Sequence, residues 1–339
     1  MKPTIMLDNI RNQPFSLDCV ADHQFGEGAK DLRAAAAAIR SAGRVVFTGM
    51  GSSMSAAIPA AYYLESHGFP AEVVETSEWL HFGAAWPRAG AVVLVSRSGE
   101  TIEISKLLAR LNASTTTTVG VTNVRESELE KESDHAIFIN SEPDRMVAIQ
   151  TYTGTMVTLL LLAAAVLEEP DDKWRAAIAD AVKATSAAIE EEIARSEDWN
   201  KFLADVEVVH LLGRGPSLAT VREAALLFNE AARTPSTGIS CALFRHGPVE
   251  IVDQRFRAIV FTSQTATRDI DLALARDLEA MGGKTRVYQA RVAAPFEPLI
   301  EIIPMQIASC RLAEAKGIDP GDFRFATLVT LAETGFATP

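Results

Sequence analysis

A chain of 339 residues is too long for one comfortable core and suits two domains of ~100–200 residues each. Its 48% apolar and 22% charged residues are those of an ordinary globular protein and exclude disorder or low complexity. With 44 acidic residues against 32 Lys and Arg, the net charge of −12 argues against nucleic acid or an anionic membrane as partner. A small anion stays open, because backbone amides can outweigh the global field locally.

Cys19, Cys241 and Cys310 are far apart, odd in number and form no CxxC, so neither a disulfide framework nor a zinc site is expected. Met1-Lys2-Pro3-Thr4 lacks the apolar core of a leader. The longest apolar stretch, Met156 to Leu167, is about half the ~20 residues of a membrane span and reads as a buried helix. A cytoplasmic protein is expected.

In chain order, residues 1–42 read as a helical segment that includes five consecutive alanines, Ala34 to Ala38. Arg44–Thr48 reads as a buried strand, followed by Gly49-Met50-Gly51-Ser52-Ser53 and a helix over Ser53–His67. Strands follow at Glu72–Glu75 and Ala91–Ser96, a helix from Glu100 to Leu111, and strands at Thr117–Thr122 and His135–Asn140. Thr151 to Glu197 reads as helical, with Pro170 its one proline, and bridges to a second strand, Val208–Leu212. That strand leads into Gly213-Arg214-Gly215-Pro216-Ser217 and another helix.

The second half repeats the first. Gly49 and Gly213, Gly51 and Gly215, and Ser53 and Ser217 are each 164 residues apart. Ala91–Ser98 matches Ala258–Thr265 at an offset of 167. Two matches in the same order imply two copies of one α/β domain, each a parallel sheet covered by helices on both faces. The expected division is 1–42 helical segment, 43–168 first domain, 169–200 helical linker, and 201–339 second domain with its tail.

Glycines at a strand's carboxyl end let the chain turn sharply, and the next helix presents N–H groups to an anion. A tight turn with Ser53 as helix cap is the plain alternative for Gly49–Ser53. Neither a dinucleotide fingerprint nor a Walker loop fits: Met54 stands where the third glycine belongs, and no Lys-Ser/Thr follows Gly51. A nicotinamide dehydrogenase is therefore excluded. Ser96-Arg97-Ser98-Gly99-Glu100-Thr101 is the sharper signal. Three hydroxyls, backbone N–H groups and a guanidinium where a strand gives way to a helix have the composition of a phosphate cradle. A poor capping box, Ser98-x-x-Thr101, is the competing reading.

These loops resemble the signature of sugar isomerase (SIS) domains. Glu223-Ala224-Ala225-Leu226-Leu227-Phe228-Asn229-Glu230 and Arg245-His246-Gly247-Pro248 narrow the resemblance. The chain, from Gly43 to Thr330, is similar to the double-SIS isomerase half of glutamine–fructose-6-phosphate aminotransferase. Stand-alone relatives act on amino-sugar or ketosamine phosphates. The resemblance implies two tandem SIS domains of α/β class. Ser52, Ser53, Ser96, Arg97, Ser98 and Thr101 would bind the sugar phosphate, and Val147 and Ala148 would line the sugar. Glu230 would move a proton between sugar carbons one and two. His246 would open the ring, reaching across to the site of a second subunit in a homodimer with shared sites. The chemistry suits those types: one carboxylate can remove and return a proton beside a carbonyl, and an imidazole titrates near neutrality. No metal or organic cofactor is implied.

Several residues depart from the family. Leu227 stands at the place of a lysine three residues before the glutamate. Leu328, in the run Asp322 to Thr330, stands at that of a C-terminal lysine, and Leu243 replaces the glutamate three before the histidine. The last lysine is Lys316, so no Schiff base from the tail is expected. Residue 2 is Lys rather than a catalytic cysteine, and no glutaminase domain is expected. The reading is a phosphosugar isomerase for a hexose or amino-sugar 6-phosphate, with or without deamination. The alternative is a non-catalytic sugar-phosphate-binding regulator. The second copy's Ser263-Gln264-Thr265 lacks the Gly-Glu-Thr that follows in the first and is expected to bind phosphate poorly.

Overall fold

Runs of Val, Leu, Ile and Phe bounded by glycine form the central strands of two sheets. The structure, a computed structural model, describes residues 3–83, 90–145, 147–321 and 332–333. Its elements begin with α1 (Ile5–Phe25), α2 (Ala29–Ala42), β1 (Val45–Gly49), α3 (Ser52–Ser66), β2 (Ala71–Glu75) and α4 (Thr76–Phe82). Next come β3 (Ala91–Val95), α5 (Ile102–Asn112), β4 (Thr117–Thr122), α6 (Glu128–Glu132) and β5 (His135–Phe138). Three helices follow, α7 (Gln150–Val166), α8 (Asp171–Ala194) and α9 (Ser196–Phe202). The second run is β6 (Val209–Gly213), α10 (Leu218–Glu230), β7 (Ser236–Ser240), α11 (Cys241–Arg245) and β8 (Arg257–Phe261). It closes with α12 (Arg268–Ala280), β9 (Lys284–Tyr288) and α13 (Glu297–Ala315).

The first sheet is parallel throughout, in the order β2-β1-β3-β4-β5. The second is parallel in the order β7-β6-β8-β9. The α/β class and the tandem repeat expected from sequence are what the chain adopts. One unit holds the first sheet and comprises Phe15–Pro143 and Gln150–Ile178, with residues 332–333. The other holds the second sheet and comprises residues 3–14, Asp144–Ile149 and residues 179–321.

In the first-sheet unit every residue of β1 and β3 is buried. That explains their almost unbroken apolar sequences, in which Thr48 is the one polar side chain, since both faces of a parallel sheet are covered. Val92 and Leu94 pack in one cluster with Ile104, Leu107, Leu108 and Leu111, the inner stripe of α5. The uncharged α7 is buried along almost its whole length and packs on α3. None of the described helices is long and apolar enough to cross a membrane.

In the second-sheet unit Leu212, Ala258 and Val260 pack with Leu274, Ala275 and Leu278 of α12, as β1 and β3 do with α5. Buried Gln13 and Gln306 hydrogen-bond through their amides at 2.8 Å, which satisfies both inside an apolar setting.

The stretch from Thr151 to Glu197, read as helical, comprises most of α7, the whole of α8 and the start of α9. It breaks after Val166, where Glu168 takes φ +56° and Pro170 cannot continue a helix. The second repeat is offset by one residue from the sequence match. Val45 pairs with Ala91, and its counterpart Val209 pairs with Arg257, not Ala258. Thr262 therefore holds the register position of Ser96.

Candidate phosphate and active site

In the first sheet the chain leaves β1 toward β2 on one side and returns as β3 on the other. Ligands of open α/β sheets bind in the crevice outside the carboxyl ends at such a reversal. Gly49 pairs with Val95, so the loops Gly49–Ser53 and Ser96–Thr101 emerge side by side there. The glycines are needed for local reasons. A Cβ on Gly49 would lie 3.0 Å from Met54 N and 3.1 Å from the Ser53 carbonyl carbon, because the first turn of α3 rests on the strand end. Gly51 holds φ +52° immediately before the helix.

Both helices that open at this mouth start without a side-chain cap. Gly51 precedes α3, and Thr101 is the N-cap of α5 but makes no capping hydrogen bond. The Thr101 hydroxyl instead lies 2.9 Å from Ser96 Oγ, which also accepts from Gly99 N at 3.1 Å. Ser98 Oγ accepts from Glu100 N at 3.3 Å, so the capping box that competed for this segment does not form. Ser96 is buried, Ser52, Ser53, Ser98 and Thr101 are half-buried, and Arg97 is exposed. Hydroxyls and two helix N-termini thus lie together at one mouth, on a loop that also carries the exposed Arg97, an arrangement suited to a phosphate.

Gly99 locks this loop. Its φ is +70°, and a Cβ there would come within 2.2 Å of Ser127 Oγ and 2.5 Å of Ser127 Cβ. Its carbonyl accepts from Leu129 N at 3.1 Å, which ties the loop to α6. Gly99→Ala is expected to cost about 2–4 kcal/mol, from the left-handed backbone and the clash together. Urea unfolding measures this, and an unchanged midpoint would show that the loop relaxes freely.

The other predicted residues belong to the second-sheet unit. Glu230 is the half-buried last residue of α10. The helix stops at Glu230, and Arg233 takes φ +46°. Leu227, at the place of the family lysine, is fully buried. His246 is exposed and ends α11, its N–H bonded to Leu243 O at 3.0 Å, with Gly247 at φ +129° beyond it. Val147 is buried and Ala148 half-buried in the segment before α7. The Lys316 amine donates to Thr234 Oγ1 at 2.5 Å. Leu328 and the run 322–330 lie outside the described residues.

Among the described residues no group of three or more His, Cys, Asp or Glu could hold a metal ion. One polar residue escaped the sequence reading: Glu301, wholly buried within α13. The available signal was a lone glutamate inside the apolar run Leu299 to Met305.

Residues 38–167, which hold the first sheet, match the SIS domain family. The chain as a whole is two tandem SIS-like units, as the resemblance read from its loops implies. It is 25% identical over 94% of its length to a glutamine–fructose-6-phosphate aminotransferase [isomerizing] from Pyrobaculum aerophilum, covering 56% of that protein. The chain spans about half the length of the curated relatives it matches. A crystal structure of a candidate phosphosugar isomerase from Silicibacter pomeroyi superposes with TM-score 0.81 at 27% identity, covering 94% of this chain and 100% of that one. The fold is shared with tagatose-6-phosphate ketose/aldose isomerase from Escherichia coli, at TM-score 0.80 and 19% identity over 94% of each chain. It is shared too with glucosamine-6-phosphate deaminase from Thermotoga maritima, at TM-score 0.79 and 20% identity over 94% of this chain and 97% of that one.

Proposed function

We propose that the protein is a phosphosugar isomerase acting on a hexose or amino-sugar 6-phosphate. The observation that carries this reading is the first-sheet mouth, where Ser96, Ser98 and Thr101 meet the uncapped starts of α3 and α5. Ser52, Ser53 and Arg97 complete the phosphate site, and Val147 and Ala148 line the sugar. His246 assists ring opening. Glu230 takes the proton from carbon two and returns it to carbon one, while a second proton passes from the hydroxyl or amine on carbon two to the carbonyl oxygen on carbon one, through an enediol or enolamine. With an amino sugar, the same proton transfer sets up loss of ammonia. The named folds of the Escherichia coli and Thermotoga maritima proteins support both outcomes.

A second reading, a sugar-phosphate-binding regulator without catalysis, is favoured by one observation: the position of the family lysine is the fully buried Leu227. Incubation with a panel of hexose and hexosamine 6-phosphates, following ketose and ammonia, separates the two. Turnover of any member supports the enzyme; saturable binding of one with no turnover supports the regulator.

The enzyme works as a homodimer, with His246 serving the partner's site. A C₂ pair then holds two equivalent sites. Mixing inactive Glu230→Gln chains with inactive His246→Ala chains is expected to restore activity, since one hybrid site has both residues intact. Absence of recovery after verified subunit exchange would mean that each chain builds its site alone.

A further inference from the structure

The second sheet reverses at β6 and β8 as the first does at β1 and β3, so it has a mouth of its own. Gly215, at φ +56°, and Ser217 repeat Gly51 and Ser53 at the start of α10. This mouth already contains an acid. The Glu301 carboxylate accepts from Ser217 Oγ at 2.9 Å and from Thr220 Oγ1 at 3.0 Å, and it bonds the Ser263 hydroxyl. The donors are themselves directed. Gln264 Nε2 donates to Ser217 Oγ at 3.3 Å, and Ala290 N donates to Ser263 Oγ at 2.9 Å, which leaves both hydroxyl protons for Glu301.

The repeat shows what this acid replaces. The hydrogen bonds that close α7 recur at the end of α13, all 149 residues on. Leu167 N to Ala163 O becomes Lys316 N to Leu312 O, and Glu169 N to Ala164 O becomes Ile318 N to Ala313 O. The same offset carries Glu301 back to Tyr152, so in the first repeat this helix brings an uncharged phenol, not an acid, to the position. We infer that the Glu301 carboxylate is the resident anion of the second mouth, filling the place that a phosphate oxyanion takes in the first. The chain therefore carries one open oxyanion site and one closed by its own side chain.

Burial raises the Glu301 pKa to about 7, the three hydroxyls oppose that shift, and Glu297 one turn earlier adds to it. Above neutrality the group is a carboxylate held by three donors and shielded from solvent.

The inference rests on reading the first mouth as a phosphate site, and one experiment keeps the two apart. Wild type and Glu301→Ala are crystallised in selenate, a tetrahedral oxyanion located by anomalous scattering. The variant is expected to gain one selenate per chain within hydrogen-bond distance of Ser217 and Thr220, where wild type has none. A folded variant with no peak there overturns the inference. A missing peak at Ser96 and Ser98 in both crystals counts against the first site alone. Should Glu301→Ala fail to fold in chloride, refolding in phosphate at matched ionic strength decides. Recovery specific to phosphate supports a vacated oxyanion site, and equal or no recovery overturns it.

Discussion

Glu230→Gln is expected to lower turnover by at least ~100-fold while leaving sugar-phosphate affinity nearly unchanged. The substitution keeps the volume and one hydrogen-bonding oxygen, and removes the negative charge and with it the ability to accept a proton. Glu230 is half-buried at the last position of α10, on a helix whose other end is fixed beneath β6 by the Gly213–Ser217 turn. Exchange of solvent deuterium into carbon two of the sugar reads the proton transfer directly and should vanish in the variant. Exchange at the wild-type rate would assign the base to another carboxylate. Wild-type protein that binds sugar phosphate yet shows no exchange would favour the regulator.

Much of this arrangement was legible because the informative residues have few alternatives. A glycine directly after a short, mostly apolar run is tied to a turn, and Gly49 and Gly213 both end strands. The hydroxyl loop was equally legible, since three small polar residues and a glycine between a strand and a helix leave little else to form. Register was not. Strands buried on both faces lack the alternation that fixes it, so matching Ala91 to Ala258 looked as good as the true pairing with Arg257. The end of α10 is marked in the sequence by Pro235, because the residue before a proline is driven out of the helical region. Glu301 escaped for a different reason. A glutamate in an apolar helix reads as an anomaly until Ser217, Thr220 and Ser263 are seen around it, and those come from two other elements distant in sequence.

The phosphate site gives the second large effect. Ser96→Ala combined with Ser98→Ala is expected to weaken binding of a hexose 6-phosphate by about 2–4 kcal/mol, roughly 30- to 700-fold, for two lost hydrogen bonds to a charged group. The two hydroxyls are not equivalent. Ser96 is 2% exposed and also organises the loop, bonding Thr101 Oγ1 and Gly99 N, so its loss removes a ligand and loosens two others. Ser98 is half-buried and receives only Glu100 N, so its single variant should keep the fold and lose the smaller share of affinity. Calorimetry on both single variants and the double separates these contributions. The double should fall short of the sum of the singles, because residues that share one ligand and one loop are coupled. Unchanged affinity in the double variant would move the anion away from this loop.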